Sequence, residues 1–153
     1  MAFNADKFAN AQMVPRTEKV ECEALRDFFD PGDDLVWEVR GLTANEMFRC
    51  LEAEKRYSTM GAMLEAIKDA TGGQVEALRK SIGAGKETTP ELAKRLEMLV
   101  ICSVNPKVNL EQAVLMAERF AIDFKFITDR IVGLTGKGYD LPKPAAASQP
   151  TPA

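Results

Sequence analysis

The sequence contains no histidine among its 153 residues. Without histidine the chain cannot form a Ser-His or Cys-His catalytic pair, and it lacks the commonest general base near neutral pH. The zinc sites in which histidine accompanies cysteine or glutamate are excluded for the same reason. Pairs of carboxylates such as Glu52 and Glu54 remain, but side chains two residues apart lie on different faces of a helix. We therefore expect neither a catalytic centre nor a metal site.

Cysteine and long apolar runs are also scarce. The three cysteines, Cys22, Cys50 and Cys102, are odd in number and widely spaced, and no CxxC motif is present. This pattern predicts reduced, partly buried thiols and not a disulfide framework. No apolar run is long enough to cross a bilayer, and residues 1–7 lack the charged-then-apolar order of a signal peptide. The expected location is therefore the cytosol, away from membranes.

What the chain does contain is typical of a soluble domain. Its composition is 46% hydrophobic and 28% charged, and the net charge is −3. A mildly acidic balance disfavours binding to nucleic acid, which usually needs a clustered basic surface. Residues 83–86, Gly-Ala-Gly-Lys, resemble a phosphate-binding loop only faintly, because Glu87 stands where the motif requires serine or threonine. We therefore expect no cofactor.

Two segments near the N-terminus predict β-strands. Residues 19–25 and 35–40 alternate polar and apolar side chains, and the turn-forming sequence Asp-Pro-Gly-Asp lies between them at 30–33. This pattern predicts a small antiparallel hairpin. Since an isolated hairpin is only marginally stable in water, we expect Trp37 to face the helices.

Helical patterns occupy most of the remaining chain, and three of them have recognisable starts. Thr43 and Glu46 match a capping box, and Asn109 and Gln112 form a similar pair. Thr89 precedes a proline, which favours the first position of a helix. These residues predict helices that begin near positions 43, 90 and 110.

Apolar spacing predicts which faces of the helices are buried. In a first helix at about 43–57, the predicted core face consists of Met47, Phe48 and Leu51, with Cys50 as a further candidate. A second helix is predicted to begin near Ser58. The last helix ends near residue 134, and its predicted core stripe is Phe120, Phe124, Ile127, Ile131 and Leu134.

The expected fold class is mainly α, a compact helical bundle of about four to five helices with a short N-terminal β-hairpin. Residues 1–18 are predicted to be a flexible N-terminal arm, because they are polar and lack strong periodicity. Residues 19–138 would then form a single helical domain with its N-terminal hairpin. Residues 139–153 have the composition of a disordered tail.

Two parts of the sequence resemble a known family. Residues 36–47, Val-Trp-Glu-Val-Arg-Gly-Leu-Thr-Ala-Asn-Glu-Met, are similar to the strand-to-helix transition of siphophage (lambda-like) tail assembly chaperones. In this family a frameshift produces two proteins. The end of the shorter product resembles residues 95–100, 103–106, 110–114 and 127–138. The resemblance covers about residues 19–138, and its motifs are structural and not catalytic.

The resemblance implies a function in the host cytoplasm. A protein of this family binds the tape measure protein, keeps it soluble and promotes assembly of the tail tube around it. A longer frameshift product adds a domain that recruits the tail tube protein, and the segment after Gly138 would be the part that the frameshift replaces. The sequence leaves open whether a longer product exists and whether the chain forms a homo-oligomer.

A spare apolar stripe on the last helix supplies the candidate contact surface. Ile122 and Phe126 lie four residues apart, on a face distinct from the core stripe. A long helical client exposes apolar stripes of its own, and helix-in-groove packing can cover them. The predicted partner-binding residues are therefore Ile122 and Phe126, with Met116 and Tyr139 near them.

Two other functions compete with this hypothesis. The first is a structural minor tail or head-tail completion subunit that stays in the virion. The second is a small DNA-binding regulator, because the helices of residues 109–134 could mimic a helix-turn-helix motif. The regulator is disfavoured, since Phe124, Phe126 and Asp129 are poor partners for base edges and phosphates.

Overall fold

The computed structural model of the protein describes residues 2–67 and 89–142. Helices and antiparallel strands alternate along these ranges, so the fold mixes α and β structure. The prediction of a mainly α bundle with a single hairpin was therefore wrong. The additional β structure consists of a third strand in the predicted hairpin's sheet and a second, two-stranded sheet.

The helices are α1 (Ala5–Asn10), a 3-10 helix (Glu23–Phe28), α2 (Ala44–Ile67), α3 (Pro90–Cys102), α4 (Leu110–Arg119) and α5 (Ala121–Thr135). The strands are β1 (Val14–Pro15), β2 (Thr17–Glu21), β3 (Val36–Arg40), β4 (Ser103–Asn105) and β5 (Tyr139–Asp140). The predicted boundary near Ser58 was wrong, because α2 continues through that position without a break. The sequence also predicts a helix break at residues 71–73, which lie outside the described residues, and a flexible loop at residues 83–89, of which only Thr89 is described.

The larger sheet has the strand order β2-β3-β4, and both of its pairings are antiparallel. The pairing of β2 with β3 confirms the predicted hairpin, and Trp37 and Val39 are buried as expected. The first strand ends at Glu21, however, and the chain turns into the 3-10 helix. Cys22 and Leu25 are both buried, and their three-residue spacing fits the threefold repeat of that helix.

A buried hydrogen-bond chain joins the sheet to α3. Trp37 Nε1 donates to Ser103 Oγ at 3.0 Å, and this hydroxyl donates to the carbonyl oxygen of Leu99 at 2.6 Å. Ser103 has no solvent exposure, so its two bonds satisfy a polar group that would otherwise be costly to bury. These two hydrogen bonds hold β4 against β3 and place the indole ring of Trp37 at the edge of the core.

The predicted helix starts are confirmed. Thr43 Oγ1 accepts a hydrogen bond from the Glu46 amide, and the Glu46 carboxylate accepts one from the Thr43 amide, at 3.3 and 3.0 Å. The same reciprocal pair joins Asn109 and Gln112, and Thr89 caps α3 with a proline at its start. Because these bonds involve neighbours in the chain, the sequence alone contains most of the information that specifies them.

The core lies between the sheet and helices α3, α4 and α5. The predicted core stripe of the last helix is confirmed from Phe124 to Leu134, while Phe120 lies between α4 and α5 and is half-buried. Arg95 on α3 adds a polar contact with α5, since its Nη1 atom donates to Thr128 Oγ1 and to Asp129 Oδ1, both at 2.7 Å.

Helix α2 presents a different face to the core from the one predicted. Met47, Phe48 and Leu51 are exposed, and Phe48 retains 65% of its accessible surface. The residues that α2 buries in its first turns are small, Cys50 and Ala53. Small side chains let the backbones of packed helices approach closely, and α2 packs mainly on α3. The prediction was therefore wrong for Met47, Phe48 and Leu51, whereas Cys50, the further candidate, is buried.

The second sheet joins segments from the two ends of the described chain. Strand β1 pairs with β5 in antiparallel register, with Val14 opposite Asp140 and Pro15 opposite Tyr139. The guanidinium of Arg16 lies 2.7 Å from the carboxylate of Asp140 and reinforces the pairing. Residues that the sequence analysis assigned to an arm and to a tail thus contact each other.

Candidate functional site

The predicted stripe on α5 is exposed to solvent. Ile122 retains 68% of its accessible surface and Phe126 retains 59%. Their four-residue spacing places them one above the other on the helix, and the 100° rotation per residue puts them opposite the buried side chains of Ile127 and Ile131. Within the described residues, the core therefore leaves both side chains largely exposed, and exposed apolar stripes of this kind commonly mark contact sites.

The other two predicted residues lie elsewhere. Met116 on α4 is buried, with 6% of its surface exposed. Tyr139 is exposed but belongs to β5, which follows the C-terminal end of α5. Ile122 lies at the opposite end of this 15-residue helix, which is about 22 Å long at 1.5 Å per residue. The structure thus brings Ile122 and Phe126 together and does not add Met116 or Tyr139 to that face.

Sequence reasoning missed a second feature, a cleft of about 850 Å³. Its walls are the 3-10 helix, the turn that follows it, strand β3, the loop from β4 to α4, and α4 itself. The turn reverses the chain where Gly32 adopts a positive φ of 93° and the Asp33 amide donates to the Asp30 carbonyl oxygen at 3.1 Å. The apolar lining consists of Leu25, Phe28, Phe29, Val36, Trp37, Val108, Leu115, Met116 and Phe120, with Pro106 beside them.

Aromatic rings dominate one side of the cleft. Phe28 retains 76% of its surface, and its ring meets that of Phe120 edge to face, with centroids 5.9 Å apart and planes at 83°. Trp37 forms part of the wall, where its indole N–H is held by Ser103. Cavities between 300 and about 1,000 Å³ with aromatic and aliphatic linings are the usual size and composition of binding sites. The cleft also reaches Met116, one of the predicted contact residues.

Charged side chains of both signs line the cleft. Asp30, Asp33 and Asp34 come from the turn, whereas Lys107 comes from the loop between β4 and α4 and Arg119 from the end of α4. Among the residues that the structure describes, none of these five side chains makes a hydrogen bond or an ion pair. Their charges are therefore not neutralised within the described fold.

The cysteines offer no accessible nucleophile. All three are buried, and burial raises the pKa of Cys22 and Cys50 to about 11 and the pKa of Cys102 to about 12. The thiolate is the reactive form of cysteine, so these groups stay protonated and inert at neutral pH. Across residues 2–67 and 89–142, no group of three or more cysteine, aspartate or glutamate side chains could hold a metal ion.

The state of the thiols can be tested directly. We expect an aromatic disulfide reagent at pH 8 to leave the folded protein unlabelled over minutes, because none of the thiols is accessible or ionised. In denaturant, all three cysteines should react. The absorbance of the released thiolate measures both results. Labelling of the native protein at the rate of a free cysteine would contradict the burial described for these residues.

No protein-family model matches the chain, and neither a curated protein nor a solved structure matches it. Within the described part of the chain, no helix is both long and apolar enough to span a membrane. The features that bear on function are therefore the exposed α5 stripe, the cleft and the resemblance of the sequence to a family.

Proposed function

We propose that the protein is a phage tail assembly chaperone that binds the tape measure protein through Ile122 and Phe126, keeps it soluble and promotes tail tube assembly. The observation that carries the proposal is the exposure of these two side chains, which lie on one face of α5 opposite its core face. A coiled-coil-rich client exposes apolar stripes before the tube surrounds it, and an exposed helix face can cover such a stripe. The resemblance of residues 36–47 and 127–138 to this chaperone family supports the same function.

The first experiment is co-expression with the tape measure protein encoded in the same tail operon. We expect the wild-type chain to keep this client soluble and to co-elute with it in size exclusion. Phe126→Asp should reduce the co-eluting client about tenfold or more, because a carboxylate at the centre of an apolar contact must be desolvated without a partner. The variant should fold normally, since Phe126 is exposed.

A matched control separates this face from general loss of apolar surface. Phe48 on α2 is exposed to a similar degree, 65% against 59%, so Phe48→Asp makes the same chemical change on a different helix. We expect the Phe48 variant to bind the client like the wild type. If Phe48→Asp abolishes co-elution and Phe126→Asp does not, the client surface lies on α2. If the client precipitates with the wild-type chain, the chaperone function itself is refuted for this product.

A further inference from the structure

The charged groups of the cleft make no ion pair within the described residues, whereas some charged groups elsewhere are tightly paired. Arg40 and Arg95, for example, are each held by a carboxylate at 2.8 Å or less. In the cleft, the three aspartates of the turn make no ion pair within the described residues, and neither do Lys107 and Arg119. Uncompensated charges around an apolar cavity are the arrangement that a charged amphipathic partner can complement.

The two signs of charge come from different segments of the chain. Asp30, Asp33 and Asp34 follow directly after Phe28 and Phe29, so the carboxylates and the aromatic rings belong to one short segment. A cation beside this segment gains from the carboxylates by Coulomb attraction and from the ring faces by cation–π attraction. The other two charged lining residues, Lys19 and Glu38, have opposite charges and are cross-strand partners in the β2–β3 register.

We infer that the cleft binds an amphipathic helix of a partner protein, with apolar side chains inside the cavity and lysine or arginine side chains against the Asp30–Asp34 turn. The volume of about 850 Å³ accommodates several side chains, and the exposed ring of Phe28 extends the apolar floor to the rim. Lys107 and Arg119 also line the cleft and repel a cation, so a cationic stripe is favoured beside the aspartates of the turn and not beside these two side chains. The inference does not depend on the tape measure protein or on the α5 stripe.

Synthetic peptides test the cleft without a natural partner. The first probe is an amphipathic peptide of leucine and lysine, about 14 residues or four helical turns long, and the second has glutamate in place of every lysine. Trp37 is the single tryptophan of the chain and lies in the cleft wall, so its fluorescence emission reports peptide binding in the cleft. The peptides contain no tryptophan and add no emission of their own. We expect the lysine peptide to change the emission saturably and the glutamate peptide to bind about tenfold more weakly.

Two charge-matched variants locate the binding site. The double variant Asp33→Asn and Asp34→Asn removes two negative charges from the turn, and it should lower the affinity for the lysine peptide about fivefold. The control, Glu52→Gln and Glu54→Gln, removes the same charge from α2, which does not line the cleft. The control should change the affinity less than about twofold, since it alters only long-range attraction that salt screens.

Three results would overturn the inference. These are equal affinity for the lysine and glutamate peptides, equal weakening by the two double variants, and absence of any change in Trp37 emission on adding the lysine peptide. Both double variants should keep the wild-type thermal midpoint, because the altered carboxylates are on the surface of the turn and of α2. Failure of the peptides would leave the co-expression result with Phe126→Asp unaffected, so the two proposals can fail separately.

Discussion

Replacing Gly41 with alanine should destabilise the protein by about 3 kcal/mol, because the new methyl group has no space. A Cβ atom at this position would lie 2.7 Å from the Thr135 nitrogen and 2.8 Å from the Leu134 carbonyl carbon. Both atoms belong to the backbone of α5, so no side-chain rotation relieves the clash. If the backbone at Gly41 moves away from α5 instead, this movement lengthens the hydrogen bond of 2.9 Å that the Leu42 amide donates to Thr135 Oγ1. Urea unfolding followed by Trp37 fluorescence measures the loss.

Gly133 provides a control on the same helix. No atom lies within 4 Å of a Cβ built there, and the position is exposed. Alanine is the better helix former by about 1 kcal/mol, so Gly133→Ala should stabilise the protein slightly. The two Gly→Ala substitutions therefore have opposite expected signs. A Gly41→Ala variant as stable as the wild type would show that β3 and α5 do not approach each other as described.

The close approach at Gly41 is a feature that the sequence did not predict. A glycine after a strand indicates only that the strand ends, whereas the contact involves a helix more than ninety residues later in the chain. Helix starts were predictable because Thr43, Thr89 and Asn109 bond to neighbours within a few residues. The helix starts depend on contacts between neighbours in the chain, whereas the contact at Gly41 joins residues that are far apart in sequence.

The strand β4 and the buried face of α2 were missed for related reasons. Ser103–Asn105 is too short for an alternating pattern, and it is a strand only because β3 lies beside it. On α2, the larger apolar side chains suggested the core face, but the helix buries Cys50 and Ala53. Hydrophobicity favoured one face, and the packing of α2 against α3 selected another.

The two candidate sites also differ in how far apart in sequence their residues lie. The stripe of Ile122 and Phe126 follows from helical periodicity, so one helix contains all the information that predicts it. The cleft is assembled from Phe28, Trp37 and Leu115, which come from three separate elements. Its one local signal was the pair of phenylalanines before Asp30, where aromatic residues and carboxylates occur together in a short segment. A turn pattern predicts that the chain reverses direction, but it does not predict which other elements complete the cleft.

Substituting Glu46 with glutamine should cost roughly 2–3 kcal/mol of stability at neutral pH and almost nothing near pH 2. The carboxylate accepts two hydrogen bonds from Arg40, both at 2.8 Å, and the side chains of the pair are largely buried. These bonds from Arg40 are the main cause that lowers the pKa of Glu46 from 4.5 to about 2. The single oxygen of glutamine can keep the capping bond from the Thr43 amide, whereas its amide nitrogen cannot accept from Arg40 Nη2. The substitution therefore removes the charge and one of the two bonds from Arg40.

The direction of the pH dependence follows from the lowered pKa. In the folded protein Glu46 stays ionised down to about pH 2, whereas in the unfolded chain it takes up a proton near pH 4.5. Its stabilisation is therefore complete above pH 4.5 and is lost as the pH falls towards 2. Thermal midpoints of wild type and Glu46→Gln, measured from pH 7 to pH 2, should converge over this interval.

Glu97→Gln is the matched control for this substitution, because it removes the same charge from a more exposed ion pair. Glu97 lies 3.3 Å from Arg49, whose side chain is 57% exposed. Exposed pairs contribute only about 0–1 kcal/mol, so this variant should differ little from the wild type at any pH. If Glu46→Gln behaves like Glu97→Gln, the Arg40–Glu46 pair does not fix the junction between β3 and α2. That junction connects the sheet beside the cleft to α2, the longest described helix. The strength of the Arg40–Glu46 pair therefore affects how rigidly α2 is held against the sheet.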